Sequence, residues 1–370
     1  MRKKKTLLII LICMLHHALF AQKIFYSDQL IPVATFGARR AIGVGVSSDN
    51  RLFVSFPRAG KKYMFGLFEV IGNGKIKPFP NEDWNKDGNE SGHFVSVQDL
   101  FVDGNDFLWV LDSKPSSGSS IFGNGGDDEA RQGHFKLLKI NLATNQVERI
   151  YTFDDLDKVH SGLNDVRVDI QKELAYLSDP GLAAVVVLDL KTGKTRRVLE
   201  KSPYTLADPT MILTYNGTEM RDRSGNPFSS NVNGIALSRD FKYFYFKPIN
   251  KKNLFRIETK FLADSLLSEE VERTKVEDMG EVGVTHGLEA DDKGNIFLSA
   301  STDYSIKYLS PDGKVHILIR DSRIIWPDSF GVGTDGYLYF SCAQLQNDPQ
   351  WNKGIDKTQF PFTLYKVKLP

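Results

Sequence analysis

The chain has 370 residues, with 47 Lys and Arg against 46 Asp and Glu and a formal net charge of +1. That balance gives no field to steer the protein toward nucleic acid or anionic lipid, so neither is expected as a partner. Length alone admits two or three domains or one long all-β unit, because closed sheets often exceed the usual domain size.

At the N-terminus, Arg2, Lys3, Lys4 and Lys5 precede the apolar run Leu7 to Leu15, and Ala21 supplies a small residue for cleavage. Residues 1–21 read as a signal peptide removed after Ala21, which predicts export to the periplasm or the extracellular space. The apolar run is short for a bilayer span and ends in His16 and His17, so no stable membrane insertion is expected after cleavage. Cys342 is then the only cysteine left, and the core must hold without a disulfide. It is expected to be a small buried hydrophobe just after a strand.

Residues 22–370 read as a single domain. Residues 23–36 form an extended segment interrupted by Pro32, and a repeat follows. Its six copies are IGVGVSSDNRLFVSF from Ile42, QDLFVDGNDFLWVLD from Gln98, NDVRVDIQKELAYLS from Asn164, NGIALSRDFKYFYFK from Asn233, HGLEADDKGNIFLSA from His286 and DSFGVGTDGYLYFSC from Asp328. Each is a weakly alternating run, a polar turn and a second run rich in Phe, Tyr, Leu and Val, which is the hairpin pattern. With Asn164 as position zero, an aromatic or aliphatic residue falls eleven places later in every copy.

Starts roughly 40 to 70 residues apart suit blades, solenoids or arrays. The sequence between copies supplies further strands, such as AAVVVLDLKTGKTRRVLE and SIKYLSPDGKVHILI, giving about four per unit. A lone four-stranded sheet needs neighbours to cover its faces, and six arranged radially cover one another while leaving short edges. The predicted fold is an all-β, six-bladed β-propeller, its ring closed where segment 23–36 joins the last hairpin and the C-terminal FTLYKVKL. Helix is expected only around 260–274. Insertions at 80–92, 113–133, 216–230 and 344–360 are too long for simple turns and are expected either to rim a pocket or to be merely mobile.

These motifs carry a resemblance. IGVGVSSDNRLFVSFPR, LFVDGNDFLWVLDS, VRVDIQKELAYLSDPGLAAVVVLDLKTGKTRRV, NGIALSRDFKYFYFKPINKKNLFRI and WPDSFGVGTDGYLYFS, in that order, resemble the Yellow and major royal jelly protein family. The resemblance implies a secreted six-bladed propeller, here without the disulfides of the animal members and with a signal that points to a bacterial branch. More distantly, LNDVRVD and NVNGIALS look like the metal-ligand strands of the regucalcin and gluconolactonase propellers, which implies Asn164 and Asn233 as ligands.

In a propeller the first strand of each blade lines the central channel. Ile42, Gln98, Asn164, Asn233, His286 and Asp328 should therefore converge at one mouth, with Asp99 and Asp165 beside them. Such a ring is either a solvated lining or a site, and the site reading gives Gln98, Asp99, Asn164, Asn233, His286 and Asp328 as contacts for a small-molecule ligand. Carboxamide and carboxylate oxygens suit a hard cation, so Asn164, Asn233 and Asp328 could supply half the shell of one divalent ion, Ca²⁺ before others. For the lactonase-like alternative, the resemblance implies a metal that polarises a lactone carbonyl, with Asp165 or His286 as general base. Two departures stand against it: that pattern has Glu at Ile42 and Asp at His286.

A protein-interaction or structural role is a further alternative, and the sequence carries no signal for an oligomeric state. Glu289 should point the same way as Arg167 and Ala236 and form a salt bridge between blades. Trp326 and Trp84 are candidates for an aromatic wall, Trp326 reading better as rim packing, and His93 for a loop residue over the mouth. The glycine-rich 123–133 lacks a phosphate-loop ending, 83–90 misses the calcium-loop spacing, and NGT at 216–218 fits a glycosylation acceptor.

Overall fold

The computed structural model describes residues 25–58, 66–87, 92–113 and 135–370. The segment 1–21 expected to be a signal peptide, residues 88–91 of the first insertion and 114–133 of the second lie outside them.

The six repeat copies form the first two strands of six four-stranded antiparallel sheets. The innermost strands are Val44–Val46, Val97–Val102, Val166–Asp169, Val232–Leu237, Leu288–Ala290 and Pro327–Val332. Five sheets are contiguous in sequence. The sixth runs Pro327–Val332, Tyr337–Cys342, Thr363–Lys368, Ile31–Thr35, with Thr35 opposite Thr363. The early extended segment thus closes the ring on the last strand, as the sequence led one to expect, and the protein is a six-bladed β-propeller.

Turn chemistry explains why each copy makes a hairpin. Five places after position zero, Asp103, Asp169 and Asp291 accept backbone N–H groups of the turn, the Asx device that favours reversal. Asn50, Asp106 and Phe241, eight places after position zero, adopt φ values of 63°, 56° and 57°, and Gly294 and Gly336 take the same left-handed turn at 82° and 80°. The residues eleven places after position zero are buried in all six blades.

Apolar side chains then fill the space between sheets. Six buried clusters each span two neighbouring blades, so every blade covers the faces of its neighbours. A seventh has another place, described below. The stretch expected to be helical holds two short helices, Thr259–Ala263 and Glu269–Arg273, the second capped by Ser268 Oγ, which accepts from Val271 N. Among the described residues no helix is long and apolar enough to cross a membrane.

Because strand direction alternates, the second-to-third connections and the blade-to-blade connections all emerge at one end of the ring. That is the end where the repeats begin. The 216–230 and 344–360 insertions belong to such connections, so the fold brings these long loops to the mouth that carries Gln98, Asn164 and Asp328.

Candidate functional site

Close packing of the inner strands fixes the position-zero residues. A Cβ on Gly234 would come within 2.2 Å of His286 O, and one on Gly287 within 1.8 Å of Asp328 O, so neighbouring strands meet backbone to backbone there. Serines of the second strands pin the same residues: Ser55 Oγ donates to Gln98 O at 2.8 Å and Ser341 Oγ to Ile42 O at 2.5 Å. Ser299 Oγ accepts from the amides of His286 and Gly287.

Below the mouth the channel is closed by a buried ion cluster. Arg167 is 2% exposed; its Nη1 lies 3.1 Å from Asp99 Oδ2, its Nη2 donates to Leu288 O at 2.9 Å, and Nη2 also lies 3.3 Å from Glu289 Oε2. The guanidinium carbon sits 5.6 Å from the centre of the Phe101 ring. Arg167 thus joins the second, third and fifth blades across the channel, and Glu289 has the inter-blade role expected of it. Asp99 also accepts from Val166 N at 3.0 Å and Ser329 Oγ at 2.9 Å.

Above this plug the predicted residues come together. Gln98 Nε2 donates to Asn164 Oδ1 at 3.1 Å, and Asn164 Nδ2 donates to Asp165 Oδ1 at 2.8 Å. Burial, and then the neighbouring Asp99, push the Asp165 carboxyl well above the usual carboxylate range despite Arg167, with Asp328 adding to the effect. Asp328 is pushed up to about 7 by burial and by Asp99, against the Trp326 side-chain hydrogen bond and the charge of Arg40. Arg40 itself forms a fork with both oxygens of Asp348. Asn164, Asp165 and Asn233 are buried, whereas Gln98 and Asp328 keep partial access to solvent.

His286 has a different environment. Its ring is stacked on Trp326 with centroids 3.8 Å apart, and Nε2 meets Ser301 Oγ at 2.6 Å, which in turn meets Tyr215 OH at 2.8 Å. Burial, with the nearby Lys247 charge second, holds the imidazole well below its ordinary pKa, so it is neutral. Nδ1 is buried and has no hydrogen-bond partner among the described residues. Lys247, wholly buried among backbone carbonyls, is itself pushed down to about 7 by burial and then by Lys251.

The seventh apolar cluster roofs this sector. Ile42, Leu213, Tyr215, Met220, Phe228 and Trp326 belong to it, with Trp351 packed alongside. These residues include parts of the 216–230 and 344–360 insertions, so both insertions shape the mouth. Ile42 serves the roof and contributes no polar atom from its side chain. Trp326 is a packing residue, as its position before Pro327 suggested. Trp84 is not brought to it, packing instead at a tilt against Phe94, with centroids 5.3 Å apart, beside the cluster between the first two blades. His93 is tied into its loop, with Nδ1 2.7 Å from Asp83 O. Cys342 is buried and its thiol is pushed up by burial.

Sequence reasoning missed Lys247, Tyr215 and Ser301, which no repeat position marks. It also missed the serine staples, for which a signal existed: Ser55, Ser299 and Ser341 each fall thirteen places after position zero.

For a resident metal the donors fit poorly. Asn164 has both ends of its carboxamide engaged by Gln98 and Asp165, Ile42 is apolar, and His286 is locked between Trp326 and Ser301. Among the described residues no group of three or more His, Cys, Asp or Glu side chains is placed to hold a metal ion.

A family model described as major royal jelly protein matches residues 95–363. The protein yellow of Drosophila guanche is 24% identical over 259 residues, 66% of this chain and 44% of that protein, so the chain spans under half the length of that relative. Among solved structures, a gluconolactonase from Xanthomonas campestris superposes with a TM-score of 0.55 at 13% identity, covering 92% of this chain and 89% of that one. The calcium-binding protein regucalcin from Agrobacterium tumefaciens gives 0.52 at 13% identity over 95% and 98% of the two chains. Likeness at this level of identity reports the shared propeller and nothing about chemistry.

Proposed function

The chain belongs to the major royal jelly protein family, and from that premise we propose that it is an exported binding protein holding a small cation-bearing molecule at the channel mouth. One observation carries this. Asp99, Glu289 and Asp165 share one buried guanidinium, Arg167, Asp328 adds a fourth carboxyl close to Asp99, and Asp165 and Asp328 are pushed up, first by burial and then by Asp99. A protonated amine over Gln98, Asn164 and Asp328 would supply the missing positive charge, with the amides orienting it and Asp99 and Asp165 beneath it. Asn233 and His286 border the same mouth; His286, neutral and stacked, shapes the site and does not take up charge. Export rests on the signal at 1–21 alone, and a mature N-terminus at Gln22 is the expected mass-spectrometric result.

The second reading, a divalent ion such as Ca²⁺ on Asn164, Asn233 and Asp328, fits less well, because Gln98 and Asp165 already hold both ends of the Asn164 carboxamide. With Ile42 apolar and His286 locked between Trp326 and Ser301, the ring would offer such an ion too few donors to polarise a lactone carbonyl beside Asp165 or any other base.

The test is thermal unfolding of purified protein with phenethylamine, calcium chloride or glucono-δ-lactone, at pH 6 and pH 8. A ligand at a hundred times its Kd stabilises by about 2.7 kcal/mol. Saturable stabilisation by the amine, larger at pH 8 where Asp328 has lost its proton, and reduced in Asp328→Asn, is the expected result. Stabilisation by calcium alone selects the second reading, and no effect from either cation removes both.

A further inference from the structure

We propose a second binding site, for a neutral hydroxyl-rich molecule of monosaccharide size, in the cavity between the short hairpin Thr214–Tyr215/Thr218–Glu219 and the 344–360 insertion. The cavity measures 270 Å³, just under the roughly 300 Å³ at which ligand pockets usually begin. Tyr215, Tyr304 and Trp351 give it aromatic walls, and Asn216, Gln346 and Asn347 give it amides.

Two lining residues point to a missing ligand. Gln346 is 9% exposed, and among the described residues its Oε1 is buried without a hydrogen-bond partner, as is Trp351 Nε1 in the same wall. One is an acceptor and the other a donor. Leaving each unmet is unfavourable, and hydroxyl groups, which donate and accept, satisfy both kinds. Flat aromatic faces beside amides suit the C–H faces and hydroxyl edges of a sugar ring.

Charge argues for a neutral occupant. The acid and base in the lining are Glu219 and Lys357, both exposed, and Glu219 is paired with Arg221 at 2.6 Å. This contrasts with the carboxyl-rich mouth. The two sites share a wall, since Tyr215 lines the cavity and reaches His286 through Ser301, but their polar groups are separate.

The experiment is titration of the full mature chain with glucose, galactose, mannose and inositol, followed by calorimetry and by the fluorescence of Trp351. At least one is expected to bind saturably. Trp351→Phe, which keeps a ring and removes the N–H, and Gln346→Met, which keeps the length and removes the acceptor, are each expected to weaken binding about five- to tenfold, the loss of one hydrogen bond. Asp328→Asn should leave sugar binding unchanged while weakening the amine. The proposal is overturned if none of the four binds at millimolar concentration, if both cavity variants bind like the parent while folding normally by circular dichroism, or if Asp328→Asn abolishes sugar binding.

Discussion

Replacing Asp328 by asparagine isolates the electrostatic cost at the channel mouth. The Asp328 carboxyl, lifted from 3.8 to about 7, binds its proton more tightly in the folded protein than in the unfolded chain. Below pH 3.8 both states are protonated and the group is neutral to stability. Between 3.8 and about 7 the folded state retains a proton that the unfolded state has lost, so stability falls as pH rises through that window, and above it the full cost is present. At 1.36 kcal/mol for each tenfold change in proton affinity the ceiling is about 4 kcal/mol, and the partial solvent access of Asp328 halves this to roughly 2 kcal/mol. Asp328→Asn is isosteric and never ionises. It should match the parent at pH 4 and exceed it at pH 8 by roughly 2 kcal/mol, or about 4 °C in Tm, in urea or thermal unfolding without amine or calcium. A difference independent of pH, or a variant less stable at pH 8, would refute the electrostatic account of the mouth.

Arg167→Met should cost about 3–5 kcal/mol in urea unfolding, because Asp99 and Glu289 then lose their shared cation in a buried channel; a loss below about 1 kcal/mol would show the plug to be dispensable. Gly287→Ala places a Cβ 1.8 Å from Asp328 O and should destabilise by about 1–3 kcal/mol, whereas Gly72→Ala, with nothing within 4 Å, should change little; equal effects would contradict the strand contact. The His286 imidazole, held well below its ordinary pKa by burial and Lys247, should show no NMR titration between pH 6 and 8. Its folded-state pKa being depressed, its contribution to stability is present above the unfolded value of 6.5 and is lost as pH falls below it. A midpoint near 6.5 would mean the stack on Trp326 leaves the ring accessible.

What the sequence by itself determined was everything periodic. The polar turns led by Asp103, Asp169 and Asp291, and the large residues such as Phe53, Trp109 and Phe244 eleven places after position zero, are local signals, because turn dihedrals and alternation act over a few residues. They were enough to give six hairpins, the propeller and the convergence of Gln98, Asn164 and Asp328. Even closure by Ile31–Thr35 was legible, since an extended segment needs a partner and the last sheet lacked one. Tertiary structure alone decided how those residues are used. That Glu289 and Arg167 point the same way was legible, but that one guanidinium serves both Asp99 and Glu289 from other blades follows only from the closed ring. His286 looked like a base or a ligand, yet Trp326, forty positions away, stacks on it and burial keeps it neutral. Phe228 and Trp351 lie in insertions with no period, so their meeting over the mouth left no trace in the repeat. Backbone preferences are written residue by residue, whereas burial, charge coupling and cavities arise only when distant segments are packed together.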